Sequence, residues 1–277
     1  MSYLQAIVLG LVQGIAEFLP VSSSGHLAIL HNLFPAVEGA ISDAAFDVLL
    51  HLGTLAAVCV VFRKTIGNII KEFFKMCRLI TYGTFRFRKA NRYQIMALYS
   101  IITTVILIPF ALMRGTIAGI GDRLWAVGVM LMLTAGLLFI ADHSAVGEKQ
   151  MKDMRFGQAV KLGLFQGLAT IPGISRSGAT ISAGINMGFD RELMVEFSFI
   201  MSVPAVLGAV VMDLKEMIAG FSAANAGPYA VGTLTAAVAG VCSIKLLSLV
   251  AKRNKFGWFM WYCLAAGLFA VVLDIIR

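Results

Sequence analysis

Along the chain, apolar runs long enough to cross a bilayer alternate with short polar connections. Runs at about 44–62, 94–113, 124–141, 193–212, 228–250 and 256–276 each approach the roughly 20 apolar residues that a spanning helix needs. Residues 63–80 follow another pattern. Ile66, Ile69, Ile70, Phe73, Phe74 and Cys77 share one helical face, with Lys64, Lys71, Lys75 and Arg78 mostly off it. That predicts a helix lying in the membrane interface. Two further apolar stretches are interrupted. Residues 2–18 predict helix, Pro20 breaks it, and helix resumes near Ser23 to about Leu33; a second broken pair covers about 155–188. Arms this short around a polar break predict re-entrant hairpins, whose irregular backbone is tolerated at membrane depth where protein buries it or where it lines a cavity.

The two broken stretches are copies. At an offset of 153 positions, Gln5, Ala6, Leu9, Gly10, Leu11, Gln13, Gly14, Ala16, Ser22, Ser24 and Gly25 each meet an identical residue. Each copy is followed by three predicted spans. Three is odd, so the second half is expected to enter the membrane upside down. Basic residues agree: nine Lys and Arg lie in 63–92, four in 149–161 and three in 252–255, against two in 114–123 and one in 213–227. The first set is expected on the cytoplasmic side, which brings the two tips together near the midplane. The expectation is an all-α integral membrane protein with an inverted-topology repeat, each half a re-entrant broken-helix hairpin plus three transmembrane helices. It forms one membrane domain over 1–277, with repeats at 1–142 and 154–277.

Composition supports this. Of 277 residues 59% are hydrophobic and 14% charged, where a soluble domain is nearer one-quarter charged. The net charge of +8 resides in a few loops and does not indicate a nucleic-acid partner. Cys59, Cys77, Cys242 and Cys263 have no metal or redox spacing and are expected to be structural. The N-terminus lacks a basic leader region and a cleavage site and is expected to be retained.

Ionisable groups within such a chain mark function. Gln13 and Glu17 share a helical face, and Ser22, Ser23, Ser24 and Gly25 then supply hydroxyls and a helix start. The second copy offers Ser175, Ser177, Gly178 and Thr180, with Arg176 in the place of Ser23. Helix starts bind anions, and an arginine fork pairs with phosphate oxygens, so phosphate or diphosphate is the expected ligand. A carboxylate beside an anion calls for a bridging Mg²⁺ or Ca²⁺. His26, at the start of the second arm, is placed as nucleophile or general acid/base, or as the base for an attacking Ser23 or Ser24. Plainer readings stand beside these: small-residue packing for Ser22 and Ser24, an interior hydrogen-bonded His26, and a structural ion pair between Glu17 and Arg176. Gln166 is read as structural. Asp47, His51 and Glu196 are candidates for supporting the tips from the following spans.

These residues resemble the undecaprenyl pyrophosphate phosphatases, also called bacitracin-resistance proteins. The resemblance rests on Gln13-x-x-x-Glu17 through His26, on Pro172 through Thr180, on Phe46 to Ala57 and on Glu196-Phe197-Ser198-Phe199. It implies a bacterial-type inner-membrane enzyme that hydrolyses undecaprenyl diphosphate to the monophosphate and so regenerates the cell-wall lipid carrier. It also implies a divalent cation, metal binding at Glu17 with Gln13, a catalytic His26, a phosphate-binding Arg176 flanked by Ser175 and Ser177, and a site facing outward. Gln13 stands at the first acidic position, so one carboxylate must hold the cation. Asp47 and His51 stand where Glu and Gln are expected, and Ser24 where Thr is common. The expected partners are the polyprenyl diphosphate and membrane lipids, with a homodimer left open. The rival reading is a polyprenyl-phosphate flippase that uses the same anion site, with or without hydrolysis.

Overall fold

The computed structural model describes residues 1–33, 43–253 and 256–276. Among these residues there is no strand, only an isolated bridge between Lys149 and Phe189. Six helices are long and apolar enough to cross a membrane: α3 (Ala44–Val61), α5 (Arg92–Leu112), α7 (Leu124–His143), α10 (Arg191–Gly220), α11 (Ala226–Lys252) and α12 (Gly257–Ile276). Broken pairs precede each set of spans: α1 (Tyr3–Ala16) with α2 (Ser23–Leu33), and α8 (Phe156–Leu168) with α9 (Arg176–Asn186). The remaining helices are α4 (Arg63–Thr81) and the short α6 (Arg114–Gly121). The protein is therefore a multi-pass membrane protein.

Local chemistry sets the helix starts. Ser2 and Gln5 form a capping box on α1, and Asn91 and Gln94 form one on α5. Asp43 and Asp190 accept from Phe46 and Leu193 to open α3 and α10. Each satisfies a donor that would otherwise lack an intrahelical acceptor. α5 contains Pro109 and α10 contains Pro204, which cost a backbone hydrogen bond that neighbouring helices offset in a bundle. α10 runs past the expected end near 212 to Gly220, because Asp213, Lys215 and Glu216 continue it in helix. The outward surface is apolar: Val211 is 70% exposed and Leu234 66%, as a lipid-facing wall requires.

α1 packs along α11 and α8 along α5, while α3 and α10 pack on each other and α7 packs on α12. The first arm of each pair thus lies on a helix of the other half. Gly14 makes the first contact close, since a Cβ there would sit 2.5 Å from the Ala236 carbonyl oxygen and 2.8 Å from the Ala239 Cβ. α4 continues from α3 and turns Ile66, Ile69 and Phe73 over an apolar cavity shared with Ile101 and Pro204, while Phe74 is 67% exposed. The basic segments converge at one end, where Arg92 pairs with Glu196, Thr65 donates to Glu196 and Lys252 lies 3.6 Å from Glu192. Lys255 lies outside the described residues. At the other end Tyr229 donates to Asp43, and the chain's first ammonium lies 3.3 Å from Asn225.

Gly14→Ala is expected to destabilise the detergent-solubilised protein by about 1–3 kcal/mol, the scale of an overpacked core contact. Gly136→Ala, where a Cβ meets nothing within 4 Å, is expected to be neutral or stabilising. Thermal melts of the two variants against the parent check the difference.

Candidate active site

The two interhelical breaks meet. The Ser24 hydroxyl accepts from the Gly173 amide at 3.4 Å, and the Ser177 hydroxyl donates to the Leu19 carbonyl at 3.3 Å. A Cβ on Gly25 would lie 3.2 Å from the Gly173 Cα, and one on Gly178 3.3 Å from the Pro20 Cβ. These contacts exchange under the 153-residue offset, since Gly25 maps to Gly178 and Pro20 to Gly173. The caps repeat as well. Ser22 Oγ accepts from the Gly25 amide and Ser175 Oγ from the Gly178 amide, and in each tip the capping hydroxyl lies within 3.3 Å of the serine hydroxyl two residues on. The first-turn amides of Ser23, Ser24, Arg176 and Ser177 are left without intrahelical acceptors by the geometry of a helix start. Each tip also has a left-handed residue: Ser22 at φ 72° and Gly173 at φ 97°. For glycine this is free, but for serine it costs about 1–2 kcal/mol.

A cavity of about 280 Å³ lies at this meeting point, with Glu17, Ser23, Ser24, His51, Ser175 and Arg176 in its wall. Arg176 Nη2 donates to Glu17 Oε1 at 2.7 Å, and both side chains are mostly buried, 18% and 11% exposed. The Ser23 hydroxyl donates to Glu17 Oε2 at 2.9 Å, and the Gln13 amide nitrogen lies 3.3 Å from the same oxygen. The guanidinium still has an unused donor, because Arg176 Nη1 is buried without a partner. Leu107, Ala205, Val206 and Ala209 form an apolar side of the same cavity. The site therefore places a polar floor beside a greasy wall, a shape suited to an amphiphile with an anionic head.

The other expected residues are placed as follows. Gly25, Ser177, Gly178 and Thr180 do not line the cavity; they brace the tips, with Thr180 donating to the Arg176 carbonyl and lying 2.7 Å from the Ser198 hydroxyl. The side chain of Asp47 is half-exposed and backs His51, its Oδ2 3.8 Å from His51 Nδ1. The structure does not bring Glu196 to the tips: it pairs with Arg92 in a separate polar cavity of about 490 Å³ at the basic end. Nor does it bring His26 into the Glu17–Arg176 cavity. His26 Nδ1 donates to the Ser22 carbonyl at 2.7 Å, which leaves Nε2 to accept from the Tyr262 hydroxyl at 2.6 Å. The two rings stack at 3°, and His26 lines another cavity with Trp258 and Phe259. His26 sits one helical turn after Ser22, and that turn points its ring at α12 rather than inward.

Two further residues join the site. Gln166, expected to be structural, lines the cavity, is 2% exposed, and has both amide atoms buried without partners. Its signal in the sequence is the repeat itself, since it is the copy of Gln13. Thr134 on α7 donates to the Gly173 carbonyl and accepts from the Ser175 amide; nothing in the sequence singles it out.

The family model described as bacitracin resistance protein BacA matches residues 6–269. The chain belongs to this family. Within it, the chain is 38% identical to the undecaprenyl-diphosphatase of Methanosphaera stadtmanae, over 99% of this chain and 98% of the relative. It is 37% identical to that of Desulforapulum autotrophicum, over 98% of each, and 39% identical to that of Treponema denticola, over 97% and 96%. For this BacA family member, the Glu17–Arg176 pair lends itself to a stability test. Glu17→Gln leaves a buried guanidinium unpaired and is expected to cost about 3–5 kcal/mol, whereas Glu17→Leu with Arg176→Met removes both charges and is expected to cost less. A double-mutant cycle by thermal unfolding reads the difference.

Proposed function

We propose that the chain is an undecaprenyl-diphosphatase: a membrane hydrolase that converts undecaprenyl diphosphate to undecaprenyl phosphate and inorganic phosphate. The observation that carries this reading is the Arg176 guanidinium, held on Glu17 with Nη1 unpartnered, between two serine-capped helix starts. That is a site for a compact polyanion. The relatives' shared name, undecaprenyl-diphosphatase, supplies the substrate.

The architecture in this reading is an inverted repeat with two re-entrant hairpins. Supporting it are the exchange of tip contacts under the repeat offset and the start of α1 beside Asn225, at the end away from the basic segments. With the basic end cytoplasmic, Leu107 lies about 22 Å along α5 from Arg92. The cavity then opens toward the outer face of the cytoplasmic membrane.

Ser23 is the nucleophile. Its hydroxyl already donates to Glu17 Oε2, the nucleophile–base contact that activates a serine. Ser23 Oγ attacks the terminal phosphorus, its proton passes to Glu17, and the bond to the bridging oxygen breaks, releasing the lipid monophosphate. Water then cleaves the phosphoserine and inorganic phosphate leaves. Arg176, Ser24 and Ser175 hold the phosphate oxygens, where fixed donors act most strongly on developing charge. Gln166 offers the second phosphate an unpartnered amide. His26 positions Ser22, and through it the strained turn that carries Ser23.

The site also fits a divalent cation. Gln13 Oε1 is buried without a partner, and turning that amide, whose nitrogen now faces Glu17, would add it to the Glu17 and Ser23 oxygens, a donor set suited to Mg²⁺ or Ca²⁺. Among the described residues no three His, Cys, Asp or Glu cluster, so Glu17, Gln13 and Ser23 would share such an ion with substrate oxygens. When bound, it supplies positive charge to the phosphates and eases removal of the serine proton.

Purified protein given terminally labelled C55 diphosphate is expected to release phosphate and to lose that activity with EDTA. Rapid acid quench is expected to trap an acid-stable phosphoserine, absent in Ser23→Ala. An acid-labile, alkali-stable phosphohistidine would transfer the attack to His26. Arg176→Ala is expected to lower kcat/KM by at least about 100-fold, the scale of one lost transition-state donor.

A further inference from the structure

Gln13 is fully buried, and its amide stands between two acceptors. Nε2 lies 3.3 Å from Glu17 Oε2 and 3.4 Å from His51 Nε2, while Oε1 has no partner. The hydrogen on His51 is fixed by its other contact. Nδ1 lies 2.9 Å from the Asp47 carbonyl oxygen, which can only accept, so Nδ1 carries the hydrogen and Nε2 presents a lone pair. The Asp47 carboxylate stands behind the same nitrogen at 3.8 Å. A ring held from behind by a carbonyl and a carboxylate, with its free nitrogen aimed at a carboxylate-bearing pocket, is oriented as metal-ligating histidines are. The Gln13 NH₂ group occupies the point where a small cation would meet Glu17 and His51. Half a turn of that amide exchanges NH₂ for Oε1, which a bound cation, and not either neighbouring acceptor, would partner.

We propose that His51 is a ligand of the divalent cation, through Nε2, together with Glu17 and the turned Gln13 Oε1. This rests on the reading above that a cation belongs at Glu17. A nitrogen donor changes which ion the site prefers. Carboxylate, amide and hydroxyl oxygens alone suit Mg²⁺ and Ca²⁺, whereas imidazole favours transition ions, with Co²⁺ above Mn²⁺. His51 therefore tunes this chain's site toward such an ion. His26 is not an alternative donor, because both of its ring nitrogens are engaged with Ser22 and Tyr262.

Bound Mn²⁺ reports its ligands directly. Full-length protein in detergent is loaded with Mn²⁺, alone and with methylenediphosphonate, and read by electron spin echo envelope modulation. Modulation from a coordinated imidazole nitrogen is expected in the parent and in His26→Ala, and is expected to vanish in His51→Gln. Competition is expected to show His51→Gln binding Co²⁺ at least about tenfold more weakly, with Mg²⁺ binding little changed. Bound Mn²⁺ without nitrogen modulation in the parent, or modulation surviving in His51→Gln, overturns the proposal and leaves the Glu17 cation in place. If Mn²⁺ binds the parent under neither condition, the cation itself falls, and His51 with it.

Discussion

The arrangement depends on one ion pair made across 159 residues of sequence, Glu17 to Arg176. Each charge would be costly alone in a chain this apolar. Paired, they hold the two tips in register, and the rest of the site is positioned relative to them. Ser23 reaches one oxygen of the carboxylate and Arg176 the other. The pair is also incomplete in its geometry. One guanidinium nitrogen is left buried without an acceptor, so the contact that joins the tips leaves one donor unused.

What surrounds the pair serves to keep backbone where side chains alone would not. Caps by Ser22 and Ser175, the brace of Thr134 on the second tip, and the Thr180–Ser198 contact behind it tie irregular chain to regular helix. Close approach of α1 to α11 through Gly14 sets the position of the first tip against α11. The left-handed Ser22 is the expensive point of this assembly, and it stands directly before Ser23, whose hydroxyl it directs toward Glu17.

Much of this is legible in the chain. Apolar length locates six spans, and the copy at offset 153 locates both breaks, because a polar loop set twice into apolar sequence is costly unless the two loops face each other. The direct meeting of Glu17 with Arg176 is only the plainer of two readings of their charges, beside a cation bridge, and the structure shows the contact. Ring direction is not legible. His26 and His51 are both histidines near a conspicuous motif, and only the helical phase after each turn decides that one faces α12 and the other the cavity. Arg191 is hidden for a similar reason. It is 3% exposed and donates to the Ala141 and Ser144 carbonyls at the end of α7, where helix-end carbonyls attract a cation. Glu196 reads as a partner of the tips because it lies in an apolar span, but three residues of helix from Leu193 put it at the basic end beside Arg92.

The long separation within the ion pair also bears on how the protein is made. A ribosome adding roughly 5–20 residues per second delivers Arg176 on the order of ten seconds after Glu17. Through that interval the first half holds a carboxylate without its arginine, met only by the neutral donors Ser23 and Gln13 or by water. Arrival of the second half supplies that arginine. Closure of this contact thus comes late in synthesis, only after the second motif has left the ribosome.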